Sequence, residues 1–410
     1  MNSLFIHHVI GDLTVGKPDL MELYESDTLE VAARVIAACP EASAAVLRRP
    51  PESGILARED RFVGLINPME IVGFLARNCP DGDHTQRENL MKAATVKEVI
   101  DSDQGSLKSI DPGTRLIDAL EMMKQGVKRL IVRKSGSWYG FSKRFSVLYN
   151  GKWLKTGATS SNSTTSTTPI SFATPYVDKF CSLSREDVVR FLIGCLGALA
   201  PIPLTSISSL GAISTNFASV EGSSPALEAI TKTPLDPCAV AVVETAPDGT
   251  KKIIGDISAY KLWKCDYSSA AWALANLSAA QFVMGSDENG SGEIPVPVQE
   301  MSSVDDPGPS VAPGVSPKKR FSSRSIGFFN NRVDGVSVGS ASLTRGRNMY
   351  RGRSAPLTCK CDSSLAAVMA QVLSHRATHV WVTDGDTLVG IVGYVEIINA
   401  VTKSAAPSTS

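Results

Sequence analysis

Apolar residues near the end of the chain follow two different periods. Over 365–373 they recur every three to four residues, which predicts a helix with one apolar face. Residues 379–382 are β-branched and aromatic and predict a strand, 384–386 a turn and 388–392 the return strand, before a second helix from 395. Such a unit is too small to cover its own sheet, so we expect it to need a partner of the same kind.

The same order of elements recurs along the chain. The return strand and helix start at 390–396 align with 64–70, 181–187 and 255–261, and each copy follows an apolar helical pattern and a β-branched run. The pattern therefore predicts a mixed α/β fold built from four copies of one unit.

Two low-complexity inserts separate parts of this repeat pattern. They are rich in Ser, Thr, Pro or Arg, and such compositions cannot bury a core. We predict repeat 1 over 1–76, repeat 2 over 95–197 with a disordered insert at about 138–178, repeat 3 over 203–263 followed by a helix over 270–283, a disordered Ser/Arg-rich linker over 286–356, and repeat 4 over 357–402.

This unit resembles the CBS domain, a regulatory repeat that pairs into two-repeat Bateman modules. Residues 379–382 and 390–392 are similar to the last repeat of the gamma regulatory subunit of AMP-activated protein kinase. The segments 11–18, 110–127 and 349–360 resemble the plant CBS-domain-containing proteins of the X group, the four-repeat type. The resemblance implies two CBS pairs, formed by the two halves of the chain, with ligand clefts between repeats.

The composition excludes several classes of protein. The formal net charge is zero, which argues against a nucleic-acid partner or an acidic membrane surface. The eight cysteines have no regular spacing, which favours reduced thiols over a disulfide framework. The uncharged segments 191–220 and 267–286 are rich in small and polar residues, so we expect them to be buried rather than to span a membrane. We expect a cytoplasmic location, with the nucleus as an alternative.

No catalytic motif is found. None of the five histidines has a metal-ligand spacing, and the chain has neither a GxSxG motif nor a P-loop. The Cys359-Lys360-Cys361 stretch is too short to predict a zinc site. We therefore expect a protein that is not an enzyme and that needs no cofactor.

The resemblance implies ligand-binding positions at the start of each second helix. In nucleotide-binding CBS domains a Ser or Thr faces the phosphate there, and an Asp three residues later binds both ribose hydroxyls. Only Ser184 and Asp187 satisfy this rule. The other repeats have Asn67 and Glu70, Ser258 and Lys261, and Gly393 and Glu396. Ser184 and Asp187 also form the pattern of a capping box, which remains the alternative.

His379 is the third candidate ligand residue. The resemblance implies that its position faces ligand phosphates, whereas a strand histidine next to Trp381 would otherwise be packed in the core. The expected ligand is AMP, ADP or ATP.

The linker contains candidate phosphorylation sites. Residues 318–353 contain nine Lys or Arg residues but only one acidic residue. This pattern is typical of a solvated linker or of a docking site. Ser354 lies three residues after Arg351 and two before Pro356, which resembles the phosphoserine motif bound by 14-3-3 proteins, although Gly352 replaces the usual serine. Ser323 is a second candidate.

These observations predict a non-catalytic regulatory protein. We expect it to sense an adenine nucleotide through its CBS pairs and to regulate a partner such as a protein kinase complex. The alternative is a CBS scaffold without a ligand, whose linker is phosphorylated.

Overall fold

The computed structural model describes residues 3–49, 61–100, 105–134, 148–149, 152–153, 179–263, 265–284 and 355–403. Most of the predicted insert and all but the last two residues of the predicted linker lie outside these ranges. The candidate phosphorylation sites Ser323 and Ser354 also lie outside them.

The first half of the chain contains two units with the same order of strands and helices. The N-terminal helices are α1 (Ser3–His7) and α2 (Ile10–Leu13). Repeat 1 consists of β1 (Leu23–Tyr24), α3 (Leu29–Ala38), β2 (Ala44–Leu47), β3 (Phe62–Ile66) and α4 (Pro68–Asn78), and α5 (His84–Ala93) follows it. Repeat 2 consists of β4 (Leu107–Ile110), α6 (Leu116–Lys124), β5 (Arg129–Lys134), the short strands β6 (Leu148–Tyr149) and β7 (Lys152–Trp153), β8 (Lys179–Ser184) and α7 (Arg185–Gly194).

The second half repeats this order. Repeat 3 consists of β9 (Ser219–Glu221), α8 (Glu228–Lys232), β10 (Ala239–Thr245), β11 (Lys251–Ser258) and α9 (Ala259–Leu262), and α10 (Tyr267–Asn276) and α11 (Ala279–Met284) follow it. Repeat 4 consists of β12 (Thr358–Lys360), α12 (Leu365–His375), β13 (His379–Asp384), β14 (Thr387–Gly393) and α13 (Tyr394–Lys403).

Every repeat has the same strand pairing. Its first strand is parallel to the second, and the second is antiparallel to the third, as a helical crossover followed by a hairpin requires. The sheets of repeats 3 and 4 also join through one residue pair, Lys252 opposite Thr387, into a six-stranded sheet.

The second strand of each repeat lies between the other two and is buried on both faces, because its alternate residues enter different cores. In β10, Ala239, Ala241 and Val243 pack with Trp381 and Ile391 between the sheets of repeats 3 and 4. A corresponding cluster, with Ala45, Leu107, Ile131 and Phe180, joins the sheets of repeats 1 and 2. The sheets therefore form the two predicted CBS pairs.

Helices join the two pairs to each other. The apolar faces of α3 and α4 share one core with the helices of repeat 3 and with α10, and those of α6 and α7 share another with α12 and α13. The N-terminal helices α1 and α2 contribute to the second core through Phe5 and Ile10. The start of the chain therefore packs on repeat 2.

The structure divides the helix predicted over 270–283 into α10 and α11. Between them, the Leu277 carbonyl accepts a hydrogen bond from Ala226 N, and Ser278 begins a new helix. The Ser278 hydroxyl accepts from Gln281 N, and the Gln281 side chain accepts from Ser278 N. This reciprocal cap in an Ala-rich sequence ends one helix and starts the next.

Candidate functional site

The four repeats meet around a cavity of about 370 Å³. The starts of the second helices of all four repeats contribute to its wall. Its charged lining residues are Glu41, Glu70, Arg77, Lys128, Arg129, Arg185, Glu186, Asp236 and Arg376. With both signs of charge and apolar walls such as Tyr260 and Trp263, the cavity is suited to a polar small molecule.

The predicted pairs of ligand positions lie where each second helix starts, and in three of the four pairs the two residues are hydrogen-bonded to each other. Asn67 accepts hydrogen bonds from the backbone of Met69 and Glu70, and Glu70 accepts one from Asn67 N. Glu396 accepts a hydrogen bond from Gly393 N at 2.9 Å in the same way. These carboxylates stabilise the first turn of their helices.

Ser184 and Asp187 form the capping box that was the alternative interpretation. Ser184 Oγ accepts from Asp187 N, and Asp187 Oδ2 accepts from Ser184 N at 2.8 Å and from Ser184 Oγ at 3.0 Å. The same carboxylate pairs with Lys17, and its other oxygen lies 3.5 Å from Arg190 Nη1. Ser184 lines the cavity, but a ribose at Asp187 would have to displace the Lys17 ammonium.

Arg185 connects repeat 2 with repeat 3. Its guanidinium donates to the carbonyl oxygens of Met123, in the last turn of α6, and of Val127, just after that helix, where a helix end leaves acceptors unsatisfied. It also pairs with Asp236 in the loop before β10. Arg185 is almost fully buried, so this contact fixes one wall of the cavity.

Two neighbouring cations from repeat 2 reach the cavity, with different partners. Arg129 Nη2 donates to Ser43 O at 3.0 Å and to Ser43 Oγ at 2.8 Å, and lies 3.2 Å from Glu41 Oε2. The half-buried Lys128 has no ion-pair partner among the described residues. Its ammonium is therefore available to an anion in the cavity.

His379 is buried in the core and not exposed to the cavity. It is 1% exposed, and its ring packs edge-to-face against Trp381 and Tyr260. Its Nε2 lies 3.7 Å from Asp256 Oδ2, and its Nδ1 lies 3.0 Å from Thr378 Oγ1. The structure thus places His379 in a buried polar network.

Lys261 holds the carboxylate at the centre of this network. Lys261 Nζ lies 2.7 Å from Asp256 Oδ1, and Ser258 donates to Asp256 Oδ2 at 2.9 Å. Burial acts to raise the pKa of Asp256, but the His379 ring and the Lys261 charge outweigh it and lower that pKa below its usual value. Lys261 stands at the position that holds Asp or Glu in the other three repeats. It therefore neutralises the buried carboxylate of Asp256.

Other chemistry is limited within the described part of the chain. All eight cysteines are free, and no group of three His, Cys, Asp or Glu side chains is placed to hold a metal ion there. Burial raises the pKa of the cavity residue Cys238 to about 12, so its thiol stays protonated. None of the described helices combines the length and apolar character needed to cross a membrane.

Comparison with known proteins identifies the repeat. The family model of the CBS domain matches residues 352–403. The CBS domain-containing protein CBSX6 of Arabidopsis thaliana is 53% identical over 98% of this chain and 95% of its own length. This chain belongs to the CBS domain-containing proteins. The predicted resemblance to the X group is thereby confirmed.

Two further relatives extend the comparison. The CBS domain-containing protein CBSX5 of Arabidopsis thaliana is 26% identical over 96% of this chain and 96% of its own length. A solved structure, protein MJ1225 of Methanocaldococcus jannaschii, described as a proposed archaeal homolog of gamma-AMPK, has a TM-score of 0.51 at 10% identity. It covers 97% of this chain and all of that one, so the four-repeat CBS fold is shared over the full length.

No motif in the sequence marks Glu41, Lys128, Arg129 or Glu186 as cavity residues. A signal for Arg129 exists in the repeat alignment. It is the first residue of the central strand of repeat 2, opposite Ser184, as His379 is in repeat 4, opposite Gly393. The equivalence of Arg129 and His379 is therefore the sequence signal that marks Arg129 as a candidate cavity residue.

Proposed function

We propose that this CBS protein is a non-catalytic regulator that binds an adenine nucleotide in the central cavity and controls a partner such as a protein kinase complex. The observation that carries the proposal is the ammonium of Lys128. It lines a cavity shared by all four repeats and has no ion-pair partner among the described residues. A half-buried cation without a carboxylate partner favours an anionic ligand, since a phosphate would supply the missing charge.

The size and the walls of the cavity support the same ligand class. A volume of about 370 Å³ lies within the range of about 300–1,000 Å³ that is usual for small-molecule sites. Tyr260 and Trp263 offer aromatic surface for a base, and Ser184 and Thr378 offer hydroxyls. Because the cavity is formed by four repeats, an occupant would change the contacts between both CBS pairs, which is how a ligand can alter a partner-binding surface.

Calorimetric titration of AMP, ADP, ATP and S-adenosylmethionine into the purified chain tests the proposal. We expect one or more of the nucleotides to bind, and Lys128→Ala to weaken that binding by about tenfold or more, because a charged hydrogen bond contributes about 1.5–3 kcal/mol. Lys108→Ala, which removes an exposed lysine from β4, is the matched control and should bind like the wild type. Binding of none of the four compounds, or equal binding by both variants, would contradict the proposal.

The second candidate is a CBS scaffold without a ligand. It is favoured by the intramolecular partners of Asp187, Glu70 and Glu396, which already occupy the carboxylates expected to bind a ribose. A scaffold would give no binding heat with any of the four compounds, but would still retain its protein partner. Purification of partner kinase subunits on the immobilised chain, with and without AMP, separates the two functions.

A further inference from the structure

The segment that follows α2 reaches the predicted ligand position of repeat 2. Lys17 is only 7% exposed, and its ammonium pairs with Asp187 and donates to the carbonyl oxygen of Ser182. The other partners of the Asp187 carboxylate in the described part of the chain are Ser184, which caps α7, and Arg190, which lies on that helix. Lys17 is therefore the one partner among them that comes from a distant part of the chain, 170 residues away.

Residues 16–20, here called the N-terminal strap, are held against repeat 2 by further contacts. The last residue of the strap donates its backbone N–H to Phe180 O at 2.7 Å, beside β8. Lys134 Nζ, from β5, donates to Lys17 O at 2.7 Å and to Asp19 Oδ1 at 2.7 Å. Strands of repeat 2 thus fix the backbone on both sides of the Lys17 side chain.

Lys17 occupies the oxygen that a ribose hydroxyl would need. Its ammonium pairs with Asp187 Oδ2, and the side chain of Asp187 is only 11% exposed. Neutral hydroxyls that took the place of the ammonium would leave this carboxylate with less countercharge, which is costly at a buried site. Ser184 lines the central cavity and lies 3.0 Å from the same oxygen, so the carboxylate is directly behind the cavity wall. The strap therefore closes Asp187 to a ribose without covering Lys128, which lines the cavity itself.

A hydroxyl next to Lys17 has no partner. Ser182 Oγ is buried and forms no hydrogen bond with any of the residues that the structure describes. It belongs to the strand residue whose carbonyl accepts from Lys17, and the alternation of side chains along β8 puts it on the same face as Ser184. Because buried hydroxyls are usually hydrogen-bonded, this one is a further contact for a ligand hydroxyl once Lys17 has moved.

We propose that Lys17 is a specificity-determining residue, which holds the ribose position of repeat 2 so that the chain recognises a nucleotide by its phosphates and not by its ribose hydroxyls. The inference rests on the proposed function, because it concerns which part of the bound nucleotide is recognised. Removing the Lys17 side chain should open the Asp187 carboxylate to the two hydroxyls of a ribose and make binding depend on them.

Calorimetry with ADP and with 2′,3′-dideoxy-ADP, which lacks both ribose hydroxyls, measures this dependence. We expect the wild type to bind the two compounds within about threefold of each other. Lys17→Ala should prefer ADP by about tenfold or more, since a hydrogen bond to a charged group corresponds to about that factor. Lys17→Gln, whose amide can still donate to Ser182 O, should show a smaller preference of the same sign, and it decides the question if Lys17→Ala does not fold.

Two controls distinguish an opened ribose position from a general loosening of the fold. Adding Asp187→Ala to Lys17→Ala should remove the preference for ADP, because the carboxylate that recognises the hydroxyls is then missing. Lys108→Ala, which removes an exposed lysine from β4, should bind both compounds like the wild type.

The outcomes separate this inference from the proposed function. The same ratio of affinities in the wild type and in the Lys17 variants, or a wild type that itself prefers ADP by about tenfold, would overturn the inference while nucleotide binding stands. If ADP binds only to the Lys17 variants and is preferred there, the inference holds and the proposed function of the wild type fails. If ADP binds to none of these proteins, both fail.

Discussion

Replacing Lys261 with methionine tests the buried network around Asp256. Methionine keeps the length and apolar stem of the lysine, but removes the charge 2.7 Å from a carboxylate that is fully buried. Removing one partner of a buried ion pair costs about 3–5 kcal/mol, because the other charge remains without a countercharge. We therefore expect the free energy of unfolding of Lys261→Met to fall by about that amount in urea denaturation at pH 7.

The dependence on pH gives the same prediction a second check. In the wild type the pKa of Asp256 is lowered, so the stability from this pair is present above pH 3.8, the ordinary value, and is lost only as the pH falls below it. Without Lys261, burial should raise that pKa instead. The stability difference between the variant and the wild type should then shrink as the pH falls from 8 towards 5.

Two further variants isolate the cause. Lys252→Met removes an exposed partner of Asp386 and should cost less than about 1 kcal/mol. Adding Asp256→Asn to Lys261→Met should recover much of the lost stability, since no buried charge then remains. If Lys261→Met and Lys252→Met unfold within about 1 kcal/mol of each other and with the same pH dependence, Lys261 does not stabilise the fold by neutralising Asp256.

Three other predictions follow from the fold and the linker. Gly390→Ala would place a Cβ 2.5 Å from Ile213 Cγ2 and should cost about 1–3 kcal/mol in thermal unfolding, whereas Gly197→Ala, which meets nothing within 4 Å, should be tolerated. Asp187→Ala should abolish nucleotide binding with cooperative unfolding retained if that carboxylate contacts a ribose. A purely structural carboxylate, which caps α7 and pairs with Lys17, would instead lose at least about 0.5–2 kcal/mol of stability and leave ligand binding as in the wild type. A phosphorylated 345–360 peptide should recover 14-3-3 proteins that its unphosphorylated twin does not, and equal recovery by both would identify this segment as a linker only.

The positions of helices and of helix starts could be predicted from short-range sequence patterns. Residues 365–373, whose apolar period predicts a helix, lie within α12, and the four pairs of positions three residues apart all lie at the start of a second helix. Both depend on neighbours within one turn, where propensity, period and capping chemistry act. The helix predicted over 270–283 is interrupted for an equally local reason, because Ser278 and Gln281 form a cap that starts a second helix.

Contacts between distant repeats could not be predicted. Lys17 is 170 residues from Asp187, and Arg185 is 51 residues from Asp236, so no sequence period relates the partners. The apolar faces of the helices predicted burial but did not specify that repeat 1 would pack on repeat 3, since hydrophobic contact is not directional. The central cavity is formed by those contacts, and the residues that line it became evident only from the fold.

A crystal structure of the full chain grown with AMP is the most direct test of nucleotide binding in the central cavity. We expect nucleotide density in the cavity shared by the four repeats, with a phosphate oxygen within about 3.2 Å of Lys128 Nζ. The Arg129 guanidinium should turn from Glu41 towards the phosphate. An unoccupied cavity in crystals grown at saturating AMP, or a nucleotide bound at another surface, would show that this cavity is not the nucleotide site.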